Sequence, residues 1–299
     1  MSDTLQRFLF ENAAIRGEVL QLDSSWQAVI ENHDYPQPVK QLLGQMLSAV
    51  VLLSATLKFS GKLSLQLQGS GPISLMIAEC TTGQESEVRH LRGIAHSADV
   101  VPVGGLKELA GDGHLVMNLE PSGESGKEKE RYQSIVELLG DSLSDALENY
   151  LVRSEQLDTQ LWLACDEQRC GGLLIQRLPA NDEVTDQDAW ERVQQLSATI
   201  QEPELLNLDA DEIIHRLYHE EDIRLFEKEP LKFYCPCSRD RVASMLRSLG
   251  YEEVRSIIEE QSNVEVACEF CNHKYLFDAV DIEELFASDM PSPPSGSEH

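Results

Sequence analysis

Four cysteines carry the strongest chemical signal in this 299-residue chain. They read Phe233-Tyr234-Cys235-Pro236-Cys237, then thirty residues, then Cys268-Glu269-Phe270-Cys271-Asn272-His273. Two close pairs of thiols fit tetrahedral Cys₄ ligation of one Zn²⁺ ion per chain, because thiolates suit a borderline-soft cation and the C-x-x-C spacing turns backbone amides toward sulfur. The C-x-C pair is unusual. Two thiols so close form a disulfide only with strain, yet an oxidised sulfur there has a resolving partner beside it. Zinc would keep all four as thiolates, the form that peroxide or hypochlorite attacks. An inert zinc staple and a thiol sensor both fit this spacing. In the second case oxidation would remove a metal worth about 10–16 kcal/mol of folding energy and unfold the block around it.

Other candidates are weaker. Cys80, Cys165 and Cys170 lie in or beside predicted strands and read as small buried hydrophobes. His215 and His219 have the i, i+4 spacing of helical ligands but no evident third ligand, and His273 reads as a turn residue. Gly61-Lys62 and Gly126-Lys127 lack the remaining residues of a phosphate-binding loop, and no G-x-G-x-x-G occurs. No catalytic set emerges, so the sequence points to no enzyme and no ATP-driven step.

The elements around these residues follow from periodicity. Arg16 to Leu22 alternates as a strand. Ser24 opens a short helix closed by Pro36 and Pro38. Val39, Leu42, Leu43, Met46, Leu47, Val50, Leu53 and Leu57 form the stripe of a deeply buried helix. Lys62–Gln68 alternates strictly, and Gly69-Ser70-Gly71-Pro72 turns the chain into a strand from Ile73. Further strands are expected at Glu87–Ala95, His114–Leu119, Tyr132–Leu138, Gln160–Ala164 and Gly172–Leu178, with a helix starting at Ser142. Pro121 to Lys129 reads as an exposed hairpin loop. The fold class is therefore α+β, with an N-terminal mixed core over residues 1–177.

Residues 178–230 read as a helical linker and 231–287 as a small Cys₄ domain. Residues 288–299 read as a disordered tail, Pro/Ser/Gly-rich from Met290 onward. In the linker one helix near Asp186–Ile200 carries Trp190, Val193, Leu196 and Ile200. A second, opened by Asp209 and Glu212 as a capping box, carries Ile213, Ile214, Leu217 and Tyr218. Isolated helices of about 10–15 residues are marginal in water, so these stripes need a partner surface. In the last block Ser238 caps a helix ending at Gly250. A second helix carries Val254, Ile257 and Ile258, Val264–Val266 and Tyr275–Phe277 are strands, and a helix follows Asp278.

Charge narrows the partners. The chain holds 24 Lys+Arg against 52 Asp+Glu, a net of −28. Residues 178–230 alone hold 15 acidic and 4 basic side chains, the densest acidity in the molecule. Such a surface repels phosphate backbones and anionic lipid, which speaks against nucleic acid and membrane partners and against a nucleic-acid zinc ribbon. A thiol–disulfide oxidoreductase would need its C-x-x-C at a helix N-terminus, whereas here it lies between two strands. The most apolar run, Leu47 to Leu57, is shorter than the roughly 20 residues of a membrane span, and Met1-Ser2-Asp3 does not open a secretory signal. Seven cysteines without such a signal suit a reducing cytosol.

Several further runs complete a pattern: Phe8-Leu9-Phe10-Glu11-Asn12 with Arg16-Gly17-Glu18, His33-Asp34-Tyr35-Pro36-Gln37-Pro38-Val39, Leu65-Gln66-Leu67-Gln68-Gly69, Arg131-Tyr132-Gln133, Arg153-Ser154-Glu155-Gln156-Leu157 and Arg216-Leu217-Tyr218-His219-Glu220-Glu221. With the C-x-C and C-x-x-C pairs, this set resembles the bacterial 33-kDa heat-shock chaperonin family over about residues 5–287. The resemblance implies a redox-regulated, ATP-independent holdase of the bacterial cytoplasm, inactive while reduced and zinc-bound. It implies that oxidation pairs Cys235 with Cys237 and Cys268 with Cys271. The C-terminal block and linker then unfold, and a homodimer holds unfolding client proteins. On that basis Trp190, Val193, Leu196, Ile213, Ile214 and Leu217 become the candidate client-binding stripe, covered in the reduced state.

Overall fold

The computed structural model describes residues 3–57, 60–83, 88–122, 131–179, 186 and 188–287. The tail 288–299 and most of the loop after Pro121 lie outside the described residues. The chain divides into two compact units, Met1–Tyr234 and Cys235–His299.

The first unit opens with β1 (Thr4–Phe10), β2 (Ile15–Leu22), α1 (Ser24–Ile30) and α2 (Gln37–Thr56). Then come β3 (Gly61–Gln68), β4 (Ile73–Thr82), β5 (Arg89–Ser97), α3 (Leu106–Ala110), β6 (His114–Pro121), β7 (Tyr132–Glu137) and α4 (Leu143–Ser154). A hairpin of β8 (Thr159–Cys165) and β9 (Cys170–Arg177) leads to α5 (Ala189–Ser197), α6 (Glu202–Asn207), α7 (Ala210–Tyr218), β10 (Ile223–Leu225) and β11 (Glu229–Phe233). The second unit holds α8 (Arg239–Leu249), α9 (Tyr251–Gln261), β12 (Val264–Ala267), β13 (Lys274–Phe277) and α10 (Ala279–Ala287).

One large sheet organises the first unit, in the order β7-β6-β3-β4-β5-β11-β1-β2-β9-β8, with β10 also paired to β1. Its two halves meet through β11. Leu231 to Phe233 run parallel to Arg89–Leu91, while Glu229 and Pro230 pair with Leu5 and Thr4. The Glu229 carboxylate pins this junction, receiving Arg7 from β1 at 2.5 Å and Arg89 from β5 at 2.7 Å. Residues 231–233, which the sequence assigns to the last block, are thus the stitching strand of the first unit. Their three residues, Leu231-Lys232-Phe233, are too short a stretch to reveal their partners by periodicity.

Helix α2 is buried on nearly all sides, from Val39 to Ala55, and one face of the sheet closes over it. It is long and apolar enough to cross a membrane by length and composition, which the short Leu47–Leu57 run did not suggest, but 78% of its most apolar window is inside this core. Helix α4 starts where Ser142 caps it: the Ser142 Oγ accepts the Asp145 N–H at 3.1 Å and the Asp145 carboxylate accepts the Ser142 N–H at 3.0 Å.

The half-sheet β1-β2-β9-β8 is buried on both faces. Leu5, Leu20, Leu22, Leu161 and Leu174 point toward α2, and Phe8, Phe10, Ile15, Val19, Leu173 and Ile175 point the other way. Period-2 alternation sends neighbours to opposite faces, so a strand apolar at every position must be covered twice. The second cover is α5 to α7.

Candidate metal and redox centre

Each half of the centre sits at an element boundary in the second unit. The first pair, Cys235 and Cys237, precedes α8, whose N-cap is Ser238; its Oγ accepts the Arg241 N–H at 3.3 Å. The Arg241 side chain reaches back to the Pro236 carbonyl at 2.7 Å and so fixes the C-x-C turn. The second pair lies at the tip of the β12–β13 hairpin, where Val264–Ala267 faces Phe277–Lys274. The tip closes through Cys268 N–H to the His273 carbonyl at 2.9 Å and Asn272 N–H to the Cys268 carbonyl at 2.7 Å. Asn272 takes φ 53, the left-handed conformation that asparagine tolerates better than most residues.

Arg239 ties the two halves together. Its guanidinium donates to the Leu276 carbonyl at 2.7 Å, pairs with Asp281 at 2.8 Å and lies 4.1 Å from the centre of the Phe277 ring. Helix α8 is thereby held against the strand that returns from the knuckle. The unit's own core is small: Val242, Leu246, Val254, Val264, Phe277, Ile282, Leu285 and Phe286.

The result is a four-sulfur cluster in which all Sγ atoms lie within 4.8 Å of one another. The Cys235 and Cys268 sulfurs are 3.6 Å apart, and those of Cys237 and Cys271 are 3.4 Å apart. Four thiolates around zinc at about 2.3 Å imply edges near 3.8 Å, so the donor set and its size fit a tetrahedral ion. Among the described residues, this is the one group of three or more His, Cys, Asp or Glu side chains whose ligand atoms converge in this way. The sequence singled out these four, and the fold brings together two pairs with thirty residues between them.

The local electrostatics are those of crowded sulfurs. Burial pushes the Cys235 and Cys271 thiols up, opposed by the backbone N–H of Cys237 and of His273 respectively. Burial also acts on Cys237, but hydrogen bonds from Tyr275 and the neighbouring thiols outweigh it and draw that thiol down. The Tyr275 hydroxyl is correspondingly pushed up to about 12. Tyr275 and the two arginines are contributors that spacing alone did not mark. Only the hairpin reversal returns Tyr275 to Cys237, 38 residues earlier in the chain.

The remaining candidates are dispersed. The ring of His215 on α7 and that of His219, which follows it, sit 5.8 Å apart, and among the described residues no third ligand joins them. The His273 ring stacks edge-on against Tyr275. Cys80, Cys165 and Cys170 are buried in the first unit. Trp190, Val193, Leu196, Ile213, Ile214 and Leu217 share one surface and pack on the outer face of β1-β2-β9-β8. Val193 and Ile213 are fully buried, Ile214 and Leu217 nearly so, and Trp190 and Leu196 partly. Tyr218 locks this layer, lying against the Phe8 and Phe10 rings while its hydroxyl meets the Ser197 Oγ at 2.6 Å.

Comparison with known proteins agrees with this architecture. The family model described as Hsp33 protein matches residues 3–278. A 33 kDa chaperonin of Nitrosococcus oceani is 47% identical over 298 residues, covering 99% of each chain. That of Methylobacillus flagellatus is 42% identical over 300 residues, covering 100% of this chain and 99% of the relative. The crystal structure of a 33 kDa chaperonin (heat shock protein 33 homolog) from Thermotoga maritima superposes with a TM-score of 0.79 over 96% of this chain and 99% of that one, at 20% identity, a likeness of fold. With the match running from β1 through both cysteine pairs, the chain belongs to the Hsp33 family, whose curated members carry the name chaperonin.

Proposed function

We propose that this protein is a redox-regulated, ATP-independent holdase of the bacterial cytoplasm, which keeps thermally unfolding and oxidatively damaged proteins from aggregating. The observation that carries the proposal is the convergence of four thiols in a unit with so small a core, joined to a segment whose apolar stripe covers a sheet. Cys235, Cys237, Cys268 and Cys271 hold one Zn²⁺ ion, which keeps their sulfurs as thiolates and supplies folding energy of about 10–16 kcal/mol when bound. The reduced protein is inactive because Trp190, Val193, Leu196, Ile213, Ile214 and Leu217 are covered.

Hydrogen peroxide converts one thiolate to a sulfenic acid, with uptake of a proton and loss of one water. The neighbouring thiol attacks that sulfur, a second water leaves, and a disulfide forms; one peroxide joins Cys235 with Cys237 and a second joins Cys268 with Cys271. The cluster then has no thiolates left to offer a metal, and its unit unfolds. Residues 178–230 leave the sheet, their stripe takes up exposed apolar segments of client proteins, and the opened chain forms a homodimer. The density of acid in that segment keeps an apolar open form soluble.

The test treats reduced, metal-loaded protein with hydrogen peroxide at mild heat. Metal release is followed with a chromogenic chelator, and light scattering of a heat-unfolding client is followed in parallel. Release and suppression of scattering should rise together. Release without protection would sink the chaperone reading, and protection without release would sink the thiol switch.

A further inference from the structure

Two cysteines outside the metal centre face each other in the core. Cys165 ends β8 and Cys170 begins β9, and they are direct partners in the antiparallel register. Their Sγ atoms are 3.0 Å apart. The Asp166 N–H donates to the Arg169 carbonyl at 2.9 Å, closing the four-residue turn, so by alternation the next pair, Cys165 and Cys170, is a non-hydrogen-bonded one. In such pairs the Cα atoms approach to about 4.5 Å with side chains on the same face, within the span a disulfide bridges.

The neighbouring helix is shaped for the two sulfurs. Gly44 lies within α2, where glycine is less favourable to a helix than alanine. A Cβ at that position would fall within bonding-clash distance of both Cys165 and Cys170 Sγ. A notch in the most buried helix of the molecule therefore receives the sulfur pair.

We propose that Cys165 and Cys170 form a second thiol–disulfide couple, in the folded first unit and independent of the metal centre. Its oxidant is hydrogen peroxide. Cys165 is the first to react, being 8% exposed against 1% for Cys170. Its sulfur attacks the peroxide, an S–O bond forms as the O–O bond breaks, and one water leaves with the thiol proton. The Cys170 sulfur then displaces the second water, so the two thiols give up two electrons and two protons in all and one S–S bond results. A dithiol reductant reverses the step. Burial raises the Cys170 thiol well above its ordinary value, which leaves the first reaction with peroxide to Cys165 and makes the couple slower than an exposed one. Because the hairpin is already closed, the bond forms without unfolding the sheet.

The digestion chemistry of this chain makes the test direct. Trypsin cleaves after Arg153, Arg169 and Arg177, so Cys165 and Cys170 fall on separate peptides, Ser154–Arg169 and Cys170–Arg177. The full-length protein is treated with hydrogen peroxide, alkylated under denaturing conditions and digested without reductant. The expected product is a joined peptide two hydrogens lighter than the sum of its parts, lost on reduction with dithiothreitol and absent from Cys170→Ala. Recovery of both peptides singly and alkylated, after Cys235, Cys237, Cys268 and Cys271 have all lost their free thiols, would overturn the proposal. So would Cys165 joined to any cysteine other than Cys170.

Discussion

The two units of this chain solve the same problem in different ways. The first surrounds a 20-residue helix with a sheet and covers half of that sheet a second time, so its order follows from buried apolar surface. The second buries eight hydrophobic residues and gathers four thiols from its first residues and from the tip of its hairpin. A core that small is marginal by itself, and a metal held by the four thiolates, as proposed, would make up the deficit. Under the proposed function, the difference would separate what oxidation can undo from what it cannot: hydrophobic burial is indifferent to peroxide, whereas thiolate ligation is not.

Removing the metal should break the contrast most severely. A strong chelator added to reduced protein should unfold residues 235–287, a loss of about 10–16 kcal/mol of metal-linked stability, while the amides of α2 keep their protection from hydrogen exchange. Persistent protection of β12 and β13 after chelation would show that the second unit needs no staple.

The next largest effect probes the outer cover of the sheet. Ile213→Ala deletes fully buried methyl groups from the α7 stripe and should cost 2–5 kcal/mol, on the order seen for large-to-small core changes. Exchange should accelerate through α5 to α7 and leave α2 unchanged. Equal acceleration in both would mean that the two faces of the sheet melt as one.

A pH test sharpens the account of the first unit. Glu18, 1% exposed on β2, has its carboxyl pushed up to about 8, chiefly by burial and against the pull of Arg16, Arg89 and Arg7; Glu229 adds to the rise. Its folded value thus lies above the ordinary 4.5, so the folded state holds a proton that the unfolded chain has released. This contribution is complete below about pH 4.5 and is lost as pH rises toward 8, at up to about 1.4 kcal/mol per pH unit. Glu18→Gln should flatten that fall, read as the denaturant midpoint of the first unit between pH 5 and 8.

The smallest effects are the helix caps. Ser142→Ala and Ser238→Ala should each cost about 1 kcal/mol, the first shifting only the denaturant midpoint of the first unit and the second only that of the Cys₄ unit. A Ser238→Ala change with no effect on metal affinity would show that the cap and the C-x-C turn are uncoupled.

How much of this was readable before the fold was seen depends on whether the signal was local. The α2 stripe, the Ser142 and Ser238 caps and the Asp209–Glu212 capping box each lie within one turn of helix, and all are present. The strict alternation of Lys62–Gln68 matches a strand with one solvent-facing side. β1 escaped because Thr4–Phe10 is apolar toward both faces and shows no clean period. β10 and β11 escaped because three to five residues carry no periodicity at all. The acidic segment reads as a separate linker by composition, yet its helices complete the sheet's second layer; Leu173 and Ile175, facing away from α2, were the hint that something had to lie there.

The amino-acid sequence by itself determined most of the elements and the four thiols as a set, because hydrophobic period, capping and ligand spacing are properties of neighbouring residues. It also determined the family through motifs spread over the chain. Tertiary structure alone decided which surface α5 to α7 cover, that Leu231–Phe233 stitch two half-sheets, that Tyr275 reaches Cys237, and that Cys165 and Cys170 share a notch at Gly44. Those outcomes rest on shape and charge complementarity between segments distant in sequence, and no local pattern encodes which of several apolar faces will meet.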